Sequence, residues 1–450
     1  MDLGERKASA SGSRHTSMSW AFRKRQRNFL RSSLWVVPAL STLVAFLSLP
    51  LLRLLDRSLG FHFFRYTPDG ARASASIVSS AMLSFVVLFF SVLLLTVQIA
   101  SSTLSPRIIA RPFRSRTLKA SLGLFVFTLI YSMGVVARGT ENSIGQLAAA
   151  MVIILTVISI CVFLYVVEHV SKQLRPVTVM ADVAEEGLRV IQAVYPKTLG
   201  QLSGLEKPGV EVCLRTPSQI VMHEGRPGVV QAFDILGLTA IAIRAACTIE
   251  VVPQVGDFVA RGDAIFRLYN AASQLAYHEL LEHIALERER TLEQDPGFAF
   301  RIIVDIASKA LSPAINDPTT AVLALDQINK LLREVGLRHL ENGMVHDSNG
   351  RLRLVYRTPD WEDFVVLAVT EIRQFGAHST QVTRRMRAML EDLIPILPAA
   401  RARILSRELD LLKSTVDRAF PDPEDRMLGN LPDFQGLGGR RKKTMDEVRW

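Results

Sequence analysis

The sequence predicts a membrane protein in which four transmembrane α-helices precede an α+β domain. That domain combines a small β-rich, barrel-sandwich-like module with a set of helices. Three observations carry the prediction. Four long segments in the first third contain no Asp, Glu, Lys or Arg, the basic excess lies in that same third, and strand-like runs begin near residue 210.

The charge pattern excludes a first guess. A formal net charge of +10 on 450 residues invites a nucleic-acid reading. Residues 1–171 carry 18 basic and 6 acidic residues, whereas 172–450 carry 35 and 37. The excess therefore coincides with the hydrophobic segments, which is how a membrane protein encodes its orientation. The lipid bilayer is the expected partner, and nucleic acid is not.

The charge-free segments are 34–52, 73–106, 120–137 and 142–167, together the membrane domain 34–167. About 20 apolar residues cross a hydrocarbon core of about 30 Å, so each is read as a span. The basic N-terminus, 1–33, and the loop holding Arg107, Arg111, Arg114, Arg116 and Lys119 outweigh the loops on the other side. Both termini are thus expected in the cytoplasm, with a bacterial inner-membrane location. Phe61, Phe63, Phe64 and Tyr66 read as interfacial aromatics. No cleavage pattern follows the first span, so a removed signal peptide is not expected.

The second span is longer than a bilayer needs and carries its polar residues on one side. At about 100° per residue, Ser76, Ser80, Ser84, Ser91, Gln98, Ser102 and Ser105 share a sector of about 80°. Two readings stand. Small hydroxylated side chains let helices approach and hydrogen-bond, within or between protomers, which is the commoner use. Alternatively, they line a narrow aqueous path in a homo-oligomer, opening onto the basic second loop. No ionisable residue lies inside a span, which speaks against coupled cation transport of the usual kind.

Downstream, 168–209 reads as a connecting helix, 210–270 as the β-rich module and 271–420 as mainly helical, with a disordered tail at 421–450. The module shows the strand runs EVCLR, QIVMH, GVVQAF, TIEVV, DFVARGD and AIFRL, with a short helix at Leu236–Ala246. Its Gly256–Asp263 turn resembles that of lipoyl-like folds, but the lysine that would carry a lipoyl or biotinyl group is not evident. Helical spacing returns from Ala271 to about Val335; Ser348-Asn349-Gly350 marks a hairpin onto Arg351–Tyr356. Further helices are expected at Asp360–Phe375, Thr380–Ile396 and Ala399–Phe420.

Candidate chemistry is sparse. His278-Glu279-Leu280-Leu281-Glu282-His283 puts its second histidine one residue too late for a zincin, about 140° round the helix. A solvated helix with His278–Glu282 and Glu279–His283 pairs is expected there, and no metal. Cys161, Cys213 and Cys247 lie singly, as in a reducing compartment. Phosphate-loop, dinucleotide and nucleophile-elbow motifs are absent, so no cofactor, catalytic residue or enzymatic role is expected.

The strongest constellation runs from Arg301 to Ala321. Arg301, Asp305, Ser308 and Ser312 share one helix face, Ser312-Pro313 ends that helix, and Asp317-Pro318 caps and starts the next. One reading is a helix–break–helix corner whose polar side chains cap and pair with each other. The other is a pocket in which Arg301 or Lys309, with Ser312, Asn316 and the amides near Thr319 and Thr320, holds a small anionic ligand. Asp317 would compete with that anion.

At these residues the chain resembles a family of bacterial predicted membrane proteins of unknown function. The matching stretches are Leu104-Ser105-Pro106-Arg107, Gly228–Asp234, Gly256–Asp263 and Arg301–Ala321. The resemblance implies four N-terminal spans and a cytoplasmic domain, but no activity. Ala314 departs from it, standing where the family usually has glycine; a positive φ there would strain alanine. The functional expectation is a non-enzymatic, oligomeric channel or permeation-type protein with a cytoplasmic regulatory domain. The alternative is a membrane-tethered sensor or scaffold that binds through 301–321.

Overall fold

Long apolar helices open the described chain. The computed structural model describes Trp20, Gln26, 33–59, 67–103, Arg107, 115–138, 146–173, 175–202, 216–271 and 274–437. The aromatics Phe61–Tyr66, the run EVCLR, Leu104–Pro106, Arg111, Arg114, Cys213 and residues 438–450 lie outside these residues. The helices are α1 (Val36–Leu59), α2 (Pro68–Thr103), α3 (Arg116–Arg138) and α4 (Gln146–Gln173). Among the described residues, α2, α3 and α4 are long and apolar enough to cross a membrane. In α1 the apolar stretch, Val36–Leu52, is shorter.

Helix α3 sits at the centre of this group. Its Phe125, Thr128, Tyr131 and Ser132 are fully buried. Gly123 and Gly134 lie on one face of it, and they let α1 approach closely. A Cβ at Gly123 would come within 2.7 Å of Val37 Cγ1, and one at Gly134 within 2.3 Å of Leu49 Cδ1. Two hydroxyl contacts tie the other neighbours: Ser79 Oγ donates to Ser132 Oγ at 2.8 Å, and Thr128 and Ser159 lie 3.2 Å apart. Each such bond contributes on the order of 0.6 kcal/mol in lipid. Small residues thus close the packing of α1 on α3, and hydroxyl pairs tie α3 to α2 and α4.

The chain divides into two compact units, one of them built, among the described residues, mainly from 216–271, 274–288 and Met344–Tyr356. This β unit holds β1 (Gln219–Met222), β2 (Gly228–Phe233), α6 (Ile235–Arg244), β3 (Thr248–Val251), β4 (Phe258–Val259), β5 (Ala264–Tyr269), α7 (Tyr277–Leu281), β6 (Ile284–Glu287), β7 (Met344–His346) and β8 (Leu352–Tyr356), with α5 (Pro176–Val194) preceding it in the chain. One sheet has the order β1-β5-β3-β8-β7 and the other β4-β2-β6. β3 and β8 run parallel although about a hundred residues separate them; the remaining pairs are antiparallel. Val230, Ile249, Val251, Ile265, Leu268 and Leu354 fill the core between the sheets.

The strand expectations from 219 to 269 and the helix near 236–246 match the observed elements, but two expectations need correction. The β-rich module is not a continuous 210–270 segment, because the 344–356 hairpin supplies two strands of its larger sheet. The long helix expected from Ala271 is interrupted: α7 has five residues and is followed by strand β6, paired to β2. A run as short as Ile284–Glu287, with three apolar residues, fits either period, and the partner strand decides.

The hairpin turn is built on Asp347. Its Oδ1 accepts from the amides of Asn349 and Arg351 at 2.9 and 3.0 Å, its Oδ2 accepts from Arg353 Nε at 2.8 Å, and Gly350 supplies φ 75°. The Arg351 amide and then the Arg353 guanidinium hold this carboxyl below the ordinary range. A depressed folded pKa means that the turn's contribution is complete above the unfolded value of about 3.9 and is lost as pH falls through the lower folded value. Hydrogen exchange of 344–356 should therefore accelerate only at strongly acidic pH. Asp347→Asn should remove that acid-dependent step, and an unchanged acid profile in the variant would contradict the assignment.

The second unit joins α1–α4 to a helical domain. After a break at Arg175-Pro176, α5 enters the domain core: a Cβ on its Gly187 would lie 2.7 Å from the Ala299 side chain. The segment expected merely to connect is thus a core element. Helices α8 (Pro296–Ala310), α9 (Pro318–Gly336), α10 (Trp361–Phe375), α11 (Thr380–Leu393) and α12 (Ala399–Ala419) enclose Phe300, Ile303, Leu331, Phe364, Val369 and Met386. A helix, α13 (Pro423–Gly429), capped by Asp422, forms where a disordered tail was expected. Fully buried Arg384 donates to the Leu431 carbonyl at 3.1 Å, and Arg385 donates to Phe434 at 2.6 Å. Those tertiary partners order a stretch whose local pattern carries no periodicity.

Candidate functional site

Helix α2 has two unlike faces. Ala75, Val78, Met82, Phe89, Leu93, Thr96 and Ala100 are buried and lie about 180° from the polar stripe. Ser76, Ser80, Ser84, Ser91 and Gln98 are exposed, interrupted by exposed Val87 and Leu94. The stripe is therefore absent from the packing of its own protomer, where Ser79 and Thr96 are the buried hydroxyl residues of α2 or border its seam. Ser84 and Ser91 turn their hydroxyls back onto the carbonyls of Ser80 and Val87 at 3.3 and 3.0 Å. Ser105 and the side chain of Ser102 lie outside the described residues.

At about 1.5 Å per residue, the 36 residues of α2 extend about 54 Å, well beyond a hydrocarbon core of about 30 Å. The excess at its C-terminal end is docked on the helical domain. Ala100 joins the hydrophobic core of that domain. Lys309 Nζ, from α8, donates to the Ser101 carbonyl at 2.7 Å. The last carbonyls of a helix lack intrahelical donors and carry the negative end of its dipole, so an ammonium is the complementary partner.

Just beyond the helix, Arg107 bonds Asp305 through Nη1. Asp305 accepts from Arg301 Nε at 2.6 Å, and Arg301 donates with both terminal nitrogens to Glu371 of α10 at 2.5 and 2.6 Å. The signs alternate along Arg107, Asp305, Arg301 and Glu371. This Glu371 pair, with the Coulomb field of Asp305, holds the Arg301 guanidinium more firmly protonated than usual, and the Arg301 hydrogen bond holds the Glu371 carboxyl below the ordinary range. Ser308 lies on the same face, and its buried Oγ has no hydrogen-bond partner among the described residues.

The corner between α8 and α9 is a local structure. Asp317 Oδ1 accepts from the Thr320 amide at 3.1 Å and its Oδ2 accepts from the Thr320 hydroxyl at 2.5 Å, with Pro318 opening the helix. Ser312 Oγ donates to the Lys309 carbonyl at 2.7 Å, while Asn316 and Thr319 are exposed. The positive φ of the corner falls on Asn316, at 48°, and not on Ala314; asparagine tolerates that region, so the strain foreseen at Ala314 does not arise. Asp317→Ala should cost about 1 kcal/mol, the usual value of an N-cap, and accelerate exchange in the first turn of α9. Unaltered exchange there would refute the capping role.

In the β unit, the HELLEH segment makes different pairs from those expected. Glu279 binds Arg244, while His283 Nδ1 meets Asp234 Oδ2 at 3.1 Å, because α7 is too short to stack its own i,i+4 neighbours. Among the described residues no three His, Cys, Asp or Glu side chains converge as a metal site would require. A cavity of about 780 Å³ opens between the β1–β2 turn, α7 and β6. His223 lines it, with Nε2–H donating to the Arg226 carbonyl at 2.9 Å. Its rim balances Arg226 and Arg288 against Glu282 and Glu287, so it selects no charge sign. Cys247 is buried in this unit, and burial pushes its thiol up, away from the reactive thiolate.

Sequence reasoning singled out Arg301, Asp305 and Lys309 but not Glu371 as a partner, and it placed Arg107 only in a basic loop. Arg107 stands 198 residues from Asp305 and Glu371 stands 70 from Arg301. The one available signal was the position of Arg107 directly after the polar stripe.

Apolar helices of membrane-crossing length leading into a mixed α/β domain define the class: a multi-helix membrane protein. The chain belongs to the family described as "Predicted membrane protein (DUF2254)", which it matches over residues 31–392. Similar proteins include uncharacterized protein Rv1290c of Mycobacterium tuberculosis (strain H37Rv) and uncharacterized protein Mb1321c of Mycobacterium bovis. Each is 25% identical over 424 residues, covering 90% of this chain and 80% of the relative. No solved structure matches the chain.

Proposed function

We propose that this protein is an oligomeric, non-enzymatic permeation-type protein of a bacterial inner membrane, with its second span lining the path and its helical domain regulating it. The observation that carries the reading is the outward polar face of α2. Five polar side chains share one exposed face of a membrane helix, away from the packing of the described protomer. Ser84 and Ser91 bond their own helix, and a polar neighbour or water is the favourable surrounding for the face as a whole. A ring of copies supplies both. In this reading α1 is a fourth span and both termini are cytoplasmic, in line with the Lys and Arg distribution.

The test is water-soluble thiol labelling of single cysteines placed along α2 in membranes, on a background without Cys161 and Cys213. Reactivity recurring at Ser80, Ser84, Ser91 and Gln98 supports the path. Uniform protection along that face sinks it and leaves helix packing between copies.

A sensor or scaffold acting through 301–321 is the second reading. Ser308 Oγ, buried without a partner among the described residues, is the observation in its favour. Against a free anion pocket stand the existing partners: an anion would have to displace Glu371 from Arg301, or the Ser101 carbonyl from Lys309. In our reading this segment transmits a conformational state to α2.

A further inference from the structure

The end of α2 is held by two unlike contacts. The Lys309 cap is a single charge placed against a helix terminus, at 2.7 Å. The row Arg107–Asp305–Arg301–Glu371 is a chain of full charges whose side chains remain 47%, 20%, 20% and 40% exposed. Water reaches every member. Interactions between such charges are screened by mobile ions, whereas the apolar docking of Ala100 is not.

The row also has a direction. Glu371 belongs to α10, inside the core of the helical domain, and Arg107 follows the end of α2. Arg301 and Asp305 lie one turn apart on α8 between them. Loss of Arg107 or Asp305 removes the charge contact that ties the segment after α2 to α8, while the Lys309 cap and the docking of Ala100 remain.

We propose that the Arg107–Asp305–Arg301–Glu371 row is an ionic-strength-sensitive latch that sets the order of the last turns of α2, with the apolar docking of Ala100 as the salt-tolerant part of the clasp. The latch goes beyond the permeation reading and does not need it, since its readout is backbone order and not flux. High salt releases the end of α2; low salt closes it.

The test uses the full chain in zwitterionic phosphatidylcholine nanodiscs. Hydrogen exchange of 95–103 is compared at about 10 mM and about 1 M KCl, across which the screening length falls from about 30 Å to about 3 Å. Wild-type exchange should rise about two- to fivefold, the factor that a partly exposed pair worth up to about 1 kcal/mol can carry. Arg107→Gln and Asp305→Asn should show the raised rate at both salt concentrations. Glu362→Gln, which removes an exposed pair elsewhere in the domain, should respond as wild type does. Lys309→Met should raise exchange at low salt and Lys309→Arg should restore it. Exchange across 361–375 reports whether a variant has unfolded; if Asp305→Asn has, Arg107→Gln decides. An Arg107→Gln protein that matches wild type at both salts overturns the latch, and so does a full salt response in folded neutral variants.

Discussion

Glu408→Ala should destabilise the helical domain by about 3–5 kcal/mol, while Glu362→Ala should cost less than about 1 kcal/mol. Both glutamates pair with arginines across the same two helices, α10 and α12, which makes the comparison internal. Glu408 and Arg373 are 3.5 Å apart with side chains 3% and 11% exposed. Their facing atoms, Glu408 Oε2 and Arg373 Nε, pair by charge without an aligned hydrogen bond, and Arg373 also reaches Thr415 Oγ1 at 3.4 Å. Truncating Glu408 leaves a buried guanidinium without its counter-charge, the costly half of breaking such a pair. Arg407 and Glu362, by contrast, sit in water. Denaturant unfolding of the full chain in detergent, followed by exchange of α10, measures both. The double variant Arg373→Met/Glu408→Leu should recover most of the loss, because an apolar pair of similar volume removes the desolvation cost. Equal costs for the two single glutamate variants would refute the distinction.

Single cysteines on α2 should differ in reactivity by at least about tenfold between its faces. The thiolate is the reacting species, and it forms only where water reaches the sulfur. On the permeation reading, cysteines at Ser80, Ser84, Ser91 and Gln98 react, those at flanking Leu88 and Leu95 meet lipid and stay inert, and those at Met82 and Phe89 are protected by α3 and α4. Buried Cys247 can remain as an internal unreactive thiol. A reactive set with period near 3.6 on the stripe side is the signature; reactivity on the Met82 face would mean that the packing described for α2 does not hold in the membrane.

Three of the expected membrane helices, α2 to α4, were legible in the sequence because a single physical requirement, about 20 uncharged residues per crossing, is written locally. The strands from 219 to 269 were equally legible from their alternation and glycine turns, and so were the Asp317 cap and the Ser348-Asn349-Gly350 hairpin turn, whose partners stand within a few residues. What failed to show was whatever depended on distant partners. β6 is a strand because β2 pairs with it; the tail past 421 is ordered because Arg384 and Arg385 bind its carbonyls.

The candidate site divides along the same line. The sequence by itself determined that α2 carries a polar stripe and that Arg301, Asp305 and Lys309 share a helix leading into a capped corner, since a period of 3.6 residues fixes which side chains are neighbours. Only the tertiary structure decided that the stripe faces away from its own bundle, and that Arg107 and Glu371 complete the row at its end. The physical reason is that helical periodicity sets angles around one axis, whereas the choice of facing partner depends on how several axes pack together.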